Sequence, residues 1–251
     1  MNFSLITYNI HALPRLITLD DTYDRVQKIA TLLETSQFDI IHIQEDWTDY
    51  GHDILTDNLP SYNILRLDEK KNFTVFGSGL SSCSRLAIAA NCAAASQIYT
   101  DKYGYDDMWA NKGFIAKRFF FEEGAVDFYN THMDAQQKTG DKDARRKNAE
   151  QLSAFINTWS KDYPVIVAGD TNLGSSTEDV DTFNFLLENS DLTDAAETNS
   201  NLLGRIDKIL FKSSTDISLA VEYFDILEGF NNLSDHDPLN IILSMNRKHE
   251  S

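Results

Sequence analysis

Two short, almost unbroken apolar runs narrow the fold more than anything else in the chain: FDIIHIQE at 38–45 and VIVAGDTN at 165–172. A run of this length without polar alternation leaves no face for water, so each reads as a buried strand that stops abruptly at polar residues. Strands and helices alternate around them. FSLITYNI (3–10) is a strand, and residues 24–34 place Val26, Ile29, Ala30 and Leu33 at helical spacing. YNILRL (62–67), RLAIAA (85–90) and GFIAKRFFF (113–121) read as further strands, and VDFYNTHMDA (126–135) as a strand running into a loop. Helices are expected at 144–159 and 183–189, and RIDKILF (205–211) and LNIILS (239–244) complete the strands. No linker stands out by composition and no internal repeat is visible. The expectation is one α/β domain spanning 1–251.

Charge bounds the partners. With 39 acidic and 22 basic residues, the formal net charge is -17. Such a chain repels a phosphate backbone unless a local basic face or bound cations intervene. The basic residues are scattered except for Lys142, Arg145, Arg146 and Lys147, whose helical spacing predicts a solvated helix face. Stable nucleic-acid binding is therefore not expected. No run of about 18 apolar residues marks a transmembrane segment. The opening MNFSLITYNI alternates apolar and polar residues, unlike a secretory leader. As the sequence stands this predicts a soluble, cytoplasmic chain, or a secreted one if a leader has been removed; oligomeric state is not encoded legibly. Cys83 and Cys92 are too few for a disulfide framework or a zinc site. Either a pair across a strand–turn–strand segment or two buried thiols fits them.

The strand ends carry the chemistry. The first strand ends at Asn9, the second at Glu45, VDFYNTH at His132, and VIVAGDTN at Asp170 and Asn172. RIDKILF carries Asp207, and SDHDPL places Asp235 and His236 just before the last strand. Taken singly, each has an ordinary explanation as a turn or cap residue. Taken together, they put a carboxylate, amide or imidazole at each of six strand ends, as a shared site at one sheet edge requires. Of the other histidines, His42 lies inside an apolar strand and reads as a core residue, whereas His11 follows Asn9 closely enough to reach the mouth of such a site.

The ordered set YNI, IQE, THMDA, GDTN, RID and SDH resembles the endonuclease/exonuclease/phosphatase superfamily, the fold of pancreatic deoxyribonuclease, over nearly the whole chain. The resemblance implies a four-layered α/β sandwich, two mixed sheets packed face to face with helices outside. Within it, NIHALP, FGSGLSSCSRLAI, DDMWANKGF and THMDAQQ, the last followed by Arg145 and Gln151, look like the neutral sphingomyelinase branch. Thr171 departs from the pattern, standing where the family usually has a bulkier residue.

A phosphodiester is anionic and resists water, so cleavage needs a positioned nucleophile, neutralised charge and a stabilised leaving oxygen. Carboxylate and amide oxygens suit a hard divalent cation, Mg²⁺ with Mn²⁺ as substitute. Glu45 is assigned as the principal metal ligand with Asn9 close by, and His236 as general base, since imidazole titrates near neutrality. By resemblance, Asp207 would fix the His236 tautomer, His132 and Asn172 would donate to phosphoryl oxygens, and Asp170 would orient water or assist the leaving group. Asp235 would reach a second metal or the hydrogen-bond network, and Lys112 would add positive charge. Asp237 reads as plain surface. The reaction so implied is hydrolysis of sphingomyelin to ceramide and phosphocholine at a membrane surface. An inositol-phosphate phosphatase, a nuclease and a catalytically silent lipid- or partner-binding member stand as alternatives. The loop holding Tyr103, Tyr105, Met108 and Trp109 either packs on the flank of the sandwich or rests on lipid headgroups, with Trp109 steering substrate.

Overall fold

The computed structural model describes residues 1–14, 21–67, 76–86, 93–104 and 107–248. One six-stranded sheet runs in the order β11-β12-β1-β2-β4-β3. Its strands are β1 (Asn2–Ala12), β2 (Ile40–Asp46), β3 (Asn63–Leu67), β4 (Leu80–Ser84), β11 (Ile217–Ile226) and β12 (Leu239–Arg247). The other six-stranded sheet runs β5-β6-β7-β8-β10-β9. It contains β5 (Ala94–Ile98), β6 (Gly113–Phe121), β7 (Gly124–His132), β8 (Val165–Asp170), β9 (Thr193–Asp194) and β10 (Asp207–Lys212). Both sheets are mixed: β1 with β2 and β7 with β8 are parallel, and their remaining pairings are antiparallel.

Period-two alternation sorts the side chains into layers. Phe3 and Leu5 of β1, Val126 and Phe128 of β7, Ile166 and Ala168 of β8 and Ile209 of β10 meet between the sheets. The opposite face of β1, Ile6, Tyr8 and Ile10, packs under α1 (Thr22–Ser36) and α2 (Asp49–Asp57) through Val26, Ile29, Leu33 and Leu55. Tyr129, Val165, Val167 and Leu210 of the second sheet are covered by α3 (Thr139–Trp159) and α4 (Thr177–Ser190) through Leu152, Ile156 and Leu186. Full burial of such a side chain is worth about 1.5–3 kcal/mol, so the layers hold strongly. The result is the four-layered sandwich expected.

Several local expectations need correction. The strand expected at RLAIAA lies one segment earlier, at LSSCS (β4); Arg85 and Leu86 are outside it, and 87–90 lie outside the described residues. Serines serve in this buried strand because their hydroxyls have partners, as where Ser81 Oγ donates to buried Asp46 (2.7 Å). Arg145 is not on a solvated face. It is fully buried, paired with Asp179 at 2.8 Å, while Lys142, Arg146 and Lys147 pair with Glu178, Glu150 and Asp101 on the surface. Helix α4 starts well before residue 183 because the Ser176 hydroxyl caps it, accepting from Asp179 N–H. Cys83 is a buried free thiol on β4, and Cys92 lies outside the described residues. Among the described residues, no helix is long and apolar enough to cross a membrane.

Candidate active site

Strand parity aims the site. His132, Asp170 and Asp207 share the parity of the residues that fill the space between the sheets, and Asn9 shares that of Phe3 and Leu5. Their side chains therefore converge where the inter-sheet core ends. Glu45 has the wrong parity, since Ile41 and Ile43 face the outer helices. Its backbone corrects this by taking a left-handed conformation, φ 64°. The indole of Trp47 then donates to Glu45 Oε2 (3.3 Å). Gly79 makes room for that indole, because a Cβ there would lie 2.7 Å from the ring.

Asn9 is the hub. Its Nδ2 donates to Glu45 Oε1 and Asp170 Oδ2, both at 3.0 Å, and lies 3.5 Å from His236 Nε2. Its Oδ1 is occupied by the N–H of His11 (3.1 Å). The amide thus presents nitrogen to the carboxylates and positions them. On the other side of His236, Nδ1 bonds Asp207 Oδ2 at 2.7 Å. Burial pulls the His236 imidazole down, but the hydrogen bond and charge of Asp207, with Asp170 and Asp235, lift it to about 9. Asp170 is pushed up, first by burial and then by the charge of Asp207. His132, buried against Asp170 at 3.4 Å, is driven well down by burial, with Lys112 and His236 adding to the effect, and so is neutral. Lys112 Nζ and Asn172 Nδ2 both donate to the Met133 carbonyl, each at 3.2 Å.

The remaining assignments separate. Asp235 stays in the network: its carboxylate pairs with His11 Nδ1 at 2.7 Å and lies 3.3 Å from Ser234 Oγ. The His11 contact holds Asp235 down to about 2. Among the described residues it belongs to neither group of converging ligand atoms named below. Asp237 is a surface partner of Arg205 at 2.9 Å. His42 is a buried core residue. Trp109 and Met108 are 42% and 62% exposed and Tyr103 is 50% exposed; Tyr105 lies outside the described residues. Sequence reasoning missed Trp47, Ser234 and Arg25. Ser234 Oγ donates to Asn9 O (2.7 Å) and accepts the His236 N–H (3.2 Å). The Arg25 guanidinium from α1 donates to the carbonyls of Ile10, His11 and Leu233. The serine was visible as part of SDH; nothing local marks the arginine.

Two overlapping groups offer converging ligand atoms within 4.8 Å of one another: Glu45, His132 and Asp170, and Asp170, Asp207 and His236. Carboxylate oxygens dominate, and Asp170 is held against its normal ionisation first by burial and then by its acidic neighbour Asp207. This donor set fits a hard divalent cation. Among the described residues, the buried Nδ1 of His132 has no hydrogen-bond partner.

A four-layered sandwich with a carboxylate–imidazole cluster at the seam of its two sheets defines the class of the endonuclease/exonuclease/phosphatase proteins. Residues 7–203 match the Endonuclease/Exonuclease/phosphatase family 2, and the chain belongs to that family. It is 24% identical over 206 residues to a Drosophila melanogaster protein described as "Putative neutral sphingomyelinase", covering 80% of this chain and 45% of that one. The chain thus spans about half the length of that relative. In fold it is similar to beta toxin from Staphylococcus aureus with bound magnesium ions (TM-score 0.75, 16% identity, 96% of this chain and 99% of that one). It is likewise similar to sphingomyelinase C from Streptomyces griseocarneus (TM-score 0.73, 17% identity, 96% and 99%).

Proposed function

We propose that the chain is a Mg²⁺-dependent phosphodiesterase that hydrolyses sphingomyelin to ceramide and phosphocholine. The observation that carries the reading is the Asp207–His236 pair, with Nε2 directed at the Asn9–Asp170 contact and the ligand group beside it. The SGL and KG segments, and the descriptions attached to the relatives, favour this substrate over inositol phosphates and nucleic acid. So does the net charge of -17, which suits a zwitterionic headgroup.

Glu45 and Asp170, with His132 adjacent, would hold the cation, which when bound supplies charge neutralisation at the phosphoryl group. The protein's own groups do the rest. Asp207 accepts from Nδ1–H, and a cation held beside Nε2 would oppose protonation of the ring there, so that Nε2 can accept a water proton as the water oxygen attacks phosphorus. Asp170, ionised as a ligand of the cation and 3.8 Å from His236 Nε2, is placed to orient the attacking water, while a solvent water supplies the proton to the leaving alkoxide as the P–O bond breaks. Lys112 and Asn172, gathered at the Met133 carbonyl, would donate to phosphoryl oxygens. The exposed Trp109 and Met108 would meet the lipid surface.

A substrate panel tests this: sphingomyelin, phosphatidylcholine, lyso-lipids, inositol phosphates and abasic DNA at fixed Mg²⁺, each repeated with EDTA. Sphingomyelin should be turned over fastest, chelation should abolish turnover, and added Mg²⁺ or Mn²⁺ should restore it. Preferred cleavage of inositol phosphates or DNA would replace the lipid reading, and full activity without metal would remove the cation. No turnover of any substrate would point to a silent binding member.

A further inference from the structure

The ends of β8 and β10 away from the candidate active site open onto a second cleft of about 480 Å³. Asp170 pairs with Asp207 at one end of this antiparallel ladder and Val165 with Lys212 at the other. At about 3.3 Å per residue, the strands separate the two places by roughly 17 Å. Lys161, Lys212 and Lys248 line the cleft with Ser213, Ser214 and Thr215 of the β10–β11 turn, and among the described residues Asp191 is the one carboxylate in the lining. Three ammonium groups against one carboxylate invert the balance of a chain with 39 acidic and 22 basic residues.

The donors are arranged for an anion. Lys212 is partly buried, and among the described residues its ammonium makes no hydrogen bond or ion pair. Burial pulls its pKa down although Asp191 and Asp127 oppose this. A partly desolvated cation whose counter-charges act only from a distance, with no direct ion pair, is unfavourable, and a bound anion relieves it. Ser213 Oγ accepts the Leu219 N–H at 3.0 Å and Ser214 Oγ the Ile217 N–H at 3.2 Å. With their oxygens so engaged, both hydroxyls keep an O–H to donate. Lys248 Nζ donates to Ser214 O at 2.8 Å, which fixes one ammonium at the turn and leaves it two further N–H groups.

We propose that this cleft is a binding site for a phosphate-class dianion, either inorganic phosphate or a phosphomonoester group, separate from the candidate catalytic centre. The formal excess of two positive charges matches a dianion, and ammonium with hydroxyl donors is the chemistry that recognises one. The proposal does not depend on the substrate of the active site.

Inorganic phosphate titrated into the ¹⁵N-labelled full chain, with chloride at matched ionic strength as control, provides the test. Saturable shifts at the amides of Ser213, Ser214 and Thr215 are expected, distinguishable from shifts at Asp170–Asn172. Lys212→Met should weaken that binding about tenfold or more, the size of one lost charge-assisted contact. Lys161→Gln with Lys248→Gln should do the same through exposed positions that leave the core untouched. Glycerol phosphate and vesicles with and without phosphatidic acid separate the sources: soluble-ester binding assigns a free metabolite, and binding confined to phosphatidic acid assigns a lipid headgroup. Shifts that chloride reproduces, or equal phosphate binding by the folded double variant and the unaltered chain, overturn the proposal.

Discussion

Glu45 shows what a single residue can hide. Its type and its position at a strand end were readable, and they sufficed to nominate it. Its direction was not, because parity along IIHIQED sends it outward with Ile41 and Ile43, and only the left-handed backbone brings it back. Asn172, φ 53°, uses the same device. His236 needed no such correction, and it carries the sharpest residue-scale expectations. His236→Ala should lower turnover roughly 10²–10⁴-fold with the fold intact; normal turnover by a folded variant would remove it as the base. Asp207→Asn keeps a partner but favours the wrong tautomer, so kcat should fall more than substrate binding weakens. His236 also links stability to pH. In metal-free protein its folded pKa, about 9, exceeds the usual histidine value of 6.5. Its stabilising contribution is therefore full below pH 6.5 and lost as pH rises through about 9, on the order of 1–3 kcal/mol in all. Urea midpoints in EDTA should show this alkaline loss in the unaltered chain and a flatter profile in His236→Ala.

At the scale of elements, the strands that end in the site were legible because burial on both faces leaves an apolar signature with a polar stop. Elements without that contrast were not: α2 contains a glycine amid mixed polar residues, and β11, ISLAVEYFDI, alternates around an exposed tyrosine. The most consequential missed contact joins three elements. Arg25 on α1 ties the end of β1, through Ile10 and His11, to Leu233 in the loop that delivers His236. Arg25→Met retains the stem but releases all three carbonyls. Since displacements of about 1 Å can cost 10²-fold in rate, kcat should fall roughly 10–100-fold with KM little changed. An unaltered kcat would show that Ser234 holds the loop alone. The turn before β6 makes a separate prediction. If Trp109 rests on headgroups, Trp109→Ala should weaken binding to sphingomyelin vesicles while sparing hydrolysis of a soluble phosphocholine ester; equal loss on both would return the ring to the core or the catalytic site.

In the whole molecule, one feature was invisible beforehand: how chain order maps onto the two sheets. The expected sandwich was correct, but pairing between distant strands follows from tertiary packing and not from any local pattern. β5 to β10 form one sheet from a contiguous stretch, residues 94–212, whereas the other joins β1–β4 to β11 and β12 across that whole interval. β12 lies directly between β11 and β1. Short-range loops close faster than long ones, so the contiguous sheet should assemble first and the interrupted one last. Pulsed hydrogen exchange during refolding should find β6–β8 amides protected before those of the β1–β12 ladder; simultaneous protection would refute a sequential order. For a growing chain the consequence is temporal. Asn9 and Glu45 wait, synthesised early yet unable to meet His236, until the last strand is threaded beside the first, so competence for chemistry arrives only with closure of the molecule.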